Sequence, residues 1–164
     1  MARTPFWLKL VSVTASAPEP ILVAESVRKV YRSGGEEVVA LHGLDLTVPH
    51  GELLAVMGPS GSGKTTLLNC VSGLDEIDAG RVLVDGLSIH ELSDKERTNH
   101  RAREMGFIFQ AFNLIPVFTI TENVELPLLL AGVHERDARV CARETPTRVG
   151  LGHRLDRRPP ELSG

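Results

Sequence analysis

The segment GPSGSGKT, residues 58–65, constrains the fold of this chain more than any other feature. It satisfies the pattern GxxxxGK[ST] at each specified position. The apolar run Leu53–Met57 comes before it and predicts a strand buried on both faces. The spacing of GKTTLLNCVSGL predicts a helix that begins inside the glycine-rich segment and stops at Gly73. The sequence therefore predicts a strand, a phosphate-binding loop and a helix in succession.

Each residue type in this loop has a chemical reason to be there. Glycines let the backbone curl so that successive N–H groups point at phosphate oxygens, and the helix start adds partial positive charge. Lys64 can reach the terminal phosphates of a nucleotide, and Thr65 can present a hydroxyl to Mg²⁺. The predicted nucleotide contacts are Gly58, Pro59, Ser60, Gly61, Ser62, Gly63, Lys64, Thr65 and Thr66. GTPases, kinases and transport ATPases share such a loop, so it does not by itself name the reaction.

Composition excludes several classes of function. The chain has 164 residues, enough for one domain, and a net charge of −3 without the basic stripe of a nucleic-acid-binding protein. We therefore expect no nucleic-acid partner. Cys70 and Cys141 have no metal-type spacing and are predicted to be reduced thiols, and the six histidines are scattered rather than clustered as ligands.

The first 20 residues resemble a secretory signal only in part. A basic start, a short apolar stretch and the small residues Ala15–Ala17 are present, but Lys9 interrupts the apolar run. Pro18 and Pro20 separate this segment from the rest of the chain. We interpret residues 1–20 as a disordered extension or a misassigned start, and residues 21–164 as the domain.

Several strands are predicted on either side of the phosphate loop. Residues 21–48 are rich in Val and Leu with partial alternation, and Gly34-Gly35 supplies a turn, which favours an antiparallel pair. GRVLVDG predicts a short strand that ends in an Asp85-Gly86 turn. The apolar run MGFIFQ predicts another strand, which ends on the polar Gln110.

Two capping boxes predict helix starts in the second half of the chain. Ser93 with Glu96 opens a polar helix through about Arg103, and Thr119 with Glu122 opens an apolar helix that stops at Gly132. A charged helix is predicted from His134 onward, and Pro146 is expected to break it.

With these landmarks in place, the sequence resembles the nucleotide-binding subunit of an ATP-binding cassette (ABC) transporter over nearly all of residues 21–164. The features occur in the family's order: an upstream aromatic (Tyr31), GPSGSGKTTLL, a strand ending GFIFQ, and a final LSG similar to the start of the LSGGQ signature. FQAFNLIPVFTITENVELPLLLAG is the most specific segment. It is similar to the branch that contains lipoprotein-release, macrolide-export and cell-division cassettes.

The resemblance implies an α/β fold: an incomplete P-loop NTPase core with an antiparallel β subdomain and an α-helical subdomain at about residues 111–164. It implies ATP and Mg²⁺ as cofactors, with Tyr31 stacked on adenine and with Thr65 and Gln110 at the metal. Gln110 would be the catalytic hinge glutamine that contacts Mg²⁺ and the attacking water. Ser163 and Gly164 would belong to the signature loop, which closes over ATP bound on the other subunit of a head-to-tail dimer.

The resemblance also implies partners and a location. Residues 112–121 would receive a membrane subunit, so that ATP binding and hydrolysis drive export or lipoprotein-type transport at the cytoplasmic face of the plasma membrane, with this chain as a peripheral subunit. Simpler interpretations stay open: Tyr31 as a packed strand tyrosine and Gln110 as a polar strand end. Two other functions also stay open, a non-hydrolysing nucleotide-binding or partner-docking module and an unrelated P-loop kinase or GTPase.

The family's hydrolytic residues follow its signature, and none can be placed in this sequence: the Walker B aspartate, the catalytic glutamate and the switch histidine. Without a base that orients water, the nucleophile is not positioned. We therefore expect the 164-residue chain alone to hydrolyse ATP negligibly. A phosphate-release assay on the purified chain checks this, and turnover at the rate of a working transporter would contradict it.

Overall fold

The computed structural model describes residues 9–12 and 20–162. Their strands are β1 Lys9–Ser12, β2 Pro20–Ser33, β3 Glu36–Pro49, β4 Leu54–Met57, β5 Ala79–Val84 and β6 Leu87–Ser88. Their helices are α1 Lys64–Val71, α2 Asp94–Glu104, α3 Ile120–Leu130 and α4 Glu135–Arg148, with short 3-10 helices at Gly152–Arg154 and Pro159–Glu161. Of these described residues, those up to Thr98 form one compact unit, and those from Asn99 onward form a second.

The first unit is built on a four-stranded antiparallel sheet of order β3-β2-β5-β6. The long β2–β3 hairpin turns at Gly34-Gly35, where both residues have positive φ, and the β5–β6 hairpin turns at Asp85-Gly86, with φ of 49° and 74°. Two positive φ values at the centre of a two-residue turn match the right-handed twist of the strands. The predicted antiparallel pair and both predicted turns are confirmed.

The core of the first unit lies between this sheet and α1. The alternating residues Leu44, Leu46 and Val48 of β3 are buried, as their period of two predicts. Leu67 and Cys70 of α1 are fully buried against the sheet residues. Burying a side chain such as Leu67 contributes about 1.5–3 kcal/mol, so this packing holds the helix that follows the phosphate loop.

A β-bulge interrupts β2 where it passes β5. The register shifts between Glu25 and Arg28, and Ser26 has a φ of 49° with its N–H donated to the Asp45 carboxylate at 2.6 Å. Gly80 lies opposite with a φ of 88°. A Cβ on Gly80 would meet the carbonyl oxygens of Glu25 and Ser26 more closely than real Cβ atoms approach. Glycine is therefore required here both by conformation and by space.

The predicted burial of Leu53–Met57 on both faces is wrong for the residues that the structure describes. β4 covers Leu54–Met57 and pairs antiparallel with β1, its only strand partner among them. Leu53 is 82% exposed and Met57 is 47% exposed. Burial on both faces requires neighbouring strands and cover on each side, which an apolar run by itself does not provide.

The second unit contains the packed pair α3 and α4. The predicted capping box is confirmed: the Glu122 N–H donates to the Thr119 hydroxyl, and the Thr119 N–H donates to the Glu122 carboxylate at 2.7 Å. The first-turn N–H groups of Ile120 and Thr121 donate to carbonyls of residues 157 and 155. The Ser93–Glu96 capping box in front of α2 is confirmed as well.

Two sequence predictions fail in the second unit. Pro146 does not break α4 but lies buried within its last turn. It lacks the N–H that would donate to the carbonyl four residues earlier, but α4 ends at Arg148, so the cost is one hydrogen bond, which the burial of its ring offsets. The run MGFIFQ is not a strand: residues 105–110 are irregular, and Ile108 is fully exposed. A strand needs a partner edge, and the described residues pair none with this run.

The amino-terminal segment contributes one strand to the described residues. Four residues of the predicted extension form β1, and the rest of residues 1–19 lie outside the described part, so the domain boundary stays a prediction. In residues 9–12 and 20–162, no helix has both the length and the apolar character needed to cross a bilayer.

The two cysteines are free thiols, as predicted. Cys70 is buried in α1 and Cys141 is exposed. Burial raises the pKa of Cys70 to about 11, so this thiol stays protonated at neutral pH.

Substituting Gly80→Ala should lower the free energy of unfolding by more than about 2 kcal/mol, because it adds a clash with two carbonyls to the strain of positive φ. The matched control is Gly86→Ala, whose φ is 74° with no atom near the added Cβ. That control should cost about 1 kcal/mol, from strain alone. Urea unfolding of both variants measures the two losses of unfolding free energy. Equal losses would contradict the close packing of Gly80 against the β-bulge.

Candidate functional site

The predicted phosphate loop connects β4 to α1 in the first unit. Gly61 and Gly63 have φ of 78° and 88°, so both adopt the left-handed conformation that the curled backbone needs. A Cβ on Gly63 would lie 2.8 Å from the Ala40 carbonyl oxygen, so the loop rests directly on β3. The position of the loop is thus set by the sheet on one side and by the buried face of α1 on the other.

The start of α1 is left open by the protein's own side chains. Gly63 occupies the N-cap and has no side chain that could cap the helix, and the first turn contains no acidic residue. The first N–H groups of a helix lack intrahelical partners, and they carry partial positive charge. This helix start can therefore accept an anion, and phosphate is the anion such loops accommodate.

Lys64 folds back onto the loop that precedes it. Its ammonium donates to the carbonyl oxygens of Gly58 at 2.8 Å and Pro59 at 2.7 Å, and to the Ser62 hydroxyl at 3.4 Å. An ammonium has three donors, and these contacts use all of them. The cation is thus held at the loop with no carboxylate partner among the described residues, in a place where phosphate oxygens could replace the carbonyls.

The hydroxyl residues differ in how open they are. Ser60 and Thr65 are exposed, Thr66 is half-buried and Ser62 is buried. Hydroxyl oxygens are hard donors of the kind that Mg²⁺ prefers. In residues 9–12 and 20–162, no group of three or more His, Cys, Asp and Glu residues is arranged to hold a metal ion.

Tyr31 lies near the end of β2 in the same unit. Its side chain is partly open, with 41% of the residue exposed, and the Lys29 ammonium lies 5.1 Å from the ring centroid. Its hydroxyl donates to the Asp75 carboxylate at 2.8 Å and lies 3.5 Å from the Thr66 hydroxyl. The Thr66 contact lowers the pKa of the Tyr31 phenol, but burial and Asp75 raise it by more, so this pKa is above its ordinary value.

Asp75 and Lys29 form the ion pair beneath Tyr31. Lys29 is only 9% exposed, and its ammonium donates to the Asp75 carboxylate at 2.6 Å and to the Glu76 carbonyl at 2.7 Å. Burial raises the pKa of Asp75, but the bonds from Lys29 and Tyr31 lower it by more, and the net pKa is below its ordinary value. A buried ammonium needs such partners, because desolvation without them is costly.

Sequence reasoning missed both members of this pair. Lys29 is separated from Asp75 by 46 positions, and neither belongs to the phosphate-loop motif. One signal was available: Lys29 continues the alternation that buries Val27 in β2, so a charge stands at an inward position. An inward lysine in a strand indicates a buried acidic partner, although it does not say which one.

The other predicted site residues are not in this unit. Gln110 lies in the second unit, exposed in a bend rather than at the end of a strand. Ser163 and Gly164 lie outside the described residues. The structure thus brings together Tyr31 and residues 58–66 in one unit, whereas the roles of Gln110, Ser163 and Gly164 stay predictions.

The predicted partner surface, residues 112–121, contains exposed apolar side chains. Phe112 is 87% exposed and Val117 is 69% exposed. Asn123 holds this segment in place: its amide accepts from the Ile115 N–H at 2.7 Å and donates to the carbonyls of Ile115 and Phe118, each at 3.1 Å. One side chain of α3 thus shapes a loop that displays apolar groups to solvent.

Comparison with known proteins gives a consistent result. A family model described as ABC transporter matches residues 41–164. The chain is 44% identical over 145 residues to a lipoprotein-releasing system ATP-binding protein LolD of Alcanivorax borkumensis, which covers 88% of this chain and 64% of that protein. It is also 42% identical over 148 residues to a macrolide export ATP-binding/permease protein MacB of Brucella abortus. That match covers 90% of this chain and 23% of MacB.

A solved structure is also similar. It is a dimeric ATP-binding cassette in a post-hydrolysis state bound to ADP and phosphate, with 37% identity and a TM-score of 0.77. The match covers 87% of this chain and 63% of that chain. The chain therefore spans a little under two thirds of the length of its LolD relative and of this cassette. The predicted fold class is confirmed, because the similar structure is an ATP-binding cassette and the described elements form the expected α/β arrangement.

Substituting Asp75→Asn should lower the free energy of unfolding at pH 7 by about 1.5–3 kcal/mol, because hydrogen bonds to a charged carboxylate are weakened. The folded-state pKa of Asp75 is depressed, so its contribution is present above the unfolded pKa and disappears as pH falls through the folded pKa. The difference in the free energy of unfolding between wild type and variant should therefore decrease below about pH 4. Urea unfolding at several pH values measures this difference, and a difference that does not change with pH would contradict the prediction.

Proposed function

The chain belongs to the ABC transporter family, and from that premise we propose that it is the ATP-binding subunit of a lipoprotein-release or macrolide-export type of transporter. Its role would be to couple ATP binding and hydrolysis to transport through a membrane partner. The observation that carries the proposal is the phosphate loop itself: an uncapped helix start with the Lys64 ammonium held beside it on backbone carbonyls.

The triphosphate would bind at the start of α1. Lys64 would exchange its bonds to the Gly58 and Pro59 carbonyls for bonds to phosphate oxygens. That exchange is favourable because a charge-assisted bond between ammonium and phosphate is stronger than one to a neutral carbonyl. The curled backbone of residues 58–63 would supply the remaining donors, aided by the helix dipole.

Mg²⁺ fits the donors that are present. Thr65 offers an exposed hydroxyl, which is a hard oxygen ligand. The resemblance to the family adds the Gln110 amide oxygen as a second proposed ligand. No acidic cage is described in residues 9–12 and 20–162, and Mg²⁺ is commonly held by one or two protein groups together with substrate phosphates. When bound, the ion neutralises the charge that develops on the phosphate oxygens.

The adenine base would stack on Tyr31. Its ring is partly exposed near the end of β2, and the ring belongs to the same unit as the phosphate loop. Purine bases offer a π face, and stacking on an aromatic ring is worth about 1–3 kcal/mol per base. Tyr31 would thus add base-dependent affinity to the affinity that the phosphate loop supplies.

The second unit would provide the contacts with other subunits. The apolar segment at residues 112–121, with Asn123 behind it, would receive the membrane subunit and keep this chain at the cytoplasmic face of the plasma membrane. Gln110 would orient the attacking water and respond to that partner. Ser163 and Gly164 would close over ATP bound to a second ATP-binding subunit, in a head-to-tail dimer; the similar solved cassette is described as dimeric.

Substituting Lys64→Met should weaken MgATP binding by roughly 10- to 150-fold, because a charge-assisted hydrogen bond contributes about 1.5–3 kcal/mol. Lys95→Met is the matched control, since Lys95 is exposed on α2 and does not belong to the phosphate-loop motif. Isothermal titration calorimetry measures both affinities, and circular dichroism verifies that each variant is folded. If Lys64→Met and Lys95→Met bind MgATP equally well, the phosphate loop is not the nucleotide site.

A further inference from the structure

We propose that Asp75 is a positioning residue for the nucleobase, which fixes the Tyr31 ring relative to the phosphate loop and so sets the affinity for the base. This assignment rests on the proposed binding of ATP and deepens it. The phosphate loop would recognise the triphosphate, and the Asp75–Tyr31 pair would determine how much the purine adds.

The surroundings of Tyr31 explain why such a group is needed. The ladder between β2 and β5 ends at Arg28, so beyond this residue β3 is the only strand paired with β2 in the described part of the chain. A loop bonds to the free edge of β2 instead. The Asp78 carboxylate accepts from the Val30 N–H at 2.7 Å, and the Asp78 N–H donates to the Arg28 carbonyl at 2.8 Å. Groups of one short loop thus replace the missing strand beside Tyr31.

Asp75 lies in that loop, residues 72–78 between α1 and β5, and its carboxylate bonds both to Tyr31 and to Lys29. One carboxylate oxygen accepts from the Tyr31 hydroxyl at 2.8 Å, and the other accepts from Lys29 at 2.6 Å. The same ammonium lies 5.1 Å from the Tyr31 ring centroid. A single ion pair therefore contacts both the hydroxyl end and the ring, and these contacts favour one position of the side chain.

Asp75 is also bonded to the helix that starts at the phosphate loop. Its N–H donates to the Asn69 carbonyl of α1 at 3.1 Å, and the Leu74 N–H donates to the same oxygen at 2.9 Å. α1 begins at Lys64, so a short path leads from Tyr31 through Asp75 and α1 to the phosphate loop. The distance between base site and phosphate site is thus set by hydrogen bonds inside one unit.

A ring that is ordered before the nucleotide arrives lowers the cost of binding. Immobilising a side chain on binding consumes part of the interaction free energy, and preorganisation avoids that loss. Removing the hydroxyl bond should therefore weaken binding of ATP but not of inorganic tripolyphosphate, which has no base. Simple stacking on an aromatic ring makes a different prediction, because phenylalanine keeps the ring.

The test compares wild type and Tyr31→Phe by calorimetry with MgATP and with magnesium tripolyphosphate. We expect about a threefold to tenfold loss of ATP affinity, with tripolyphosphate affinity unchanged. Equal ATP affinity in the two proteins would overturn the proposal. If wild type itself does not bind MgATP, or binds it no more tightly than tripolyphosphate, the proposed adenine site fails first, and that result is visible before any variant is measured.

A second pair of measurements isolates Asp75. Asp75→Ala should lower the ratio of ATP to tripolyphosphate affinity as Tyr31→Phe does, and the double variant should show no further drop.

Tyr31 is the only tyrosine in the chain, so tyrosinate absorbance titrates this residue alone. In Asp75→Ala the pKa of Tyr31 should fall towards its ordinary value. An equal loss of ATP and tripolyphosphate affinity, or a further drop in the double variant, would show a merely structural role and overturn the proposal.

Discussion

The ion pair between Lys29 and Asp75 is the interaction that holds the first unit together around its candidate site. A lysine in an inward position of a strand is costly unless its charge is matched, and Asp75 and the Glu76 carbonyl provide that match. The pair joins β2 to the loop after α1, and so it connects the sheet to the helix of the phosphate loop. The orientation of Tyr31 follows from the same bonds, because its hydroxyl shares the Asp75 carboxylate.

Local signals in the sequence predicted local structure well. Gly34-Gly35 and Asp85-Gly86 supply the positive φ values of two hairpin turns, and the Ser93–Glu96 and Thr119–Glu122 pairs cap the helices that come after them. Each of these features is complete within about four residues. Its free energy is therefore decided by neighbours along the chain, which a sequence displays directly.

The predictions that failed all depend on distant partners. Leu53–Met57 and residues 105–110 are apolar runs, yet hydrophobicity does not specify which strand will pair with them or which face will be covered. Neither run is paired into a buried sheet by the described residues. The Pro146 prediction fails for a related reason: the packing that buries this proline offsets the helix hydrogen bond that it removes, and the local sequence does not show that packing.

The family, the phosphate loop and its order between strand and helix could all be inferred from the chain alone, because the motif is contiguous and each of its residues has a local chemical task. The folded unit was needed to show that Asp75 meets Tyr31 across 44 positions, that Lys64 rests on loop carbonyls, and that Gly80 must lack a Cβ. Such contacts join segments whose separation along the chain carries no information about their distance in space. They exist because the bulged strand, the loop and α1 pack into one core, and packing is a property of the whole unit.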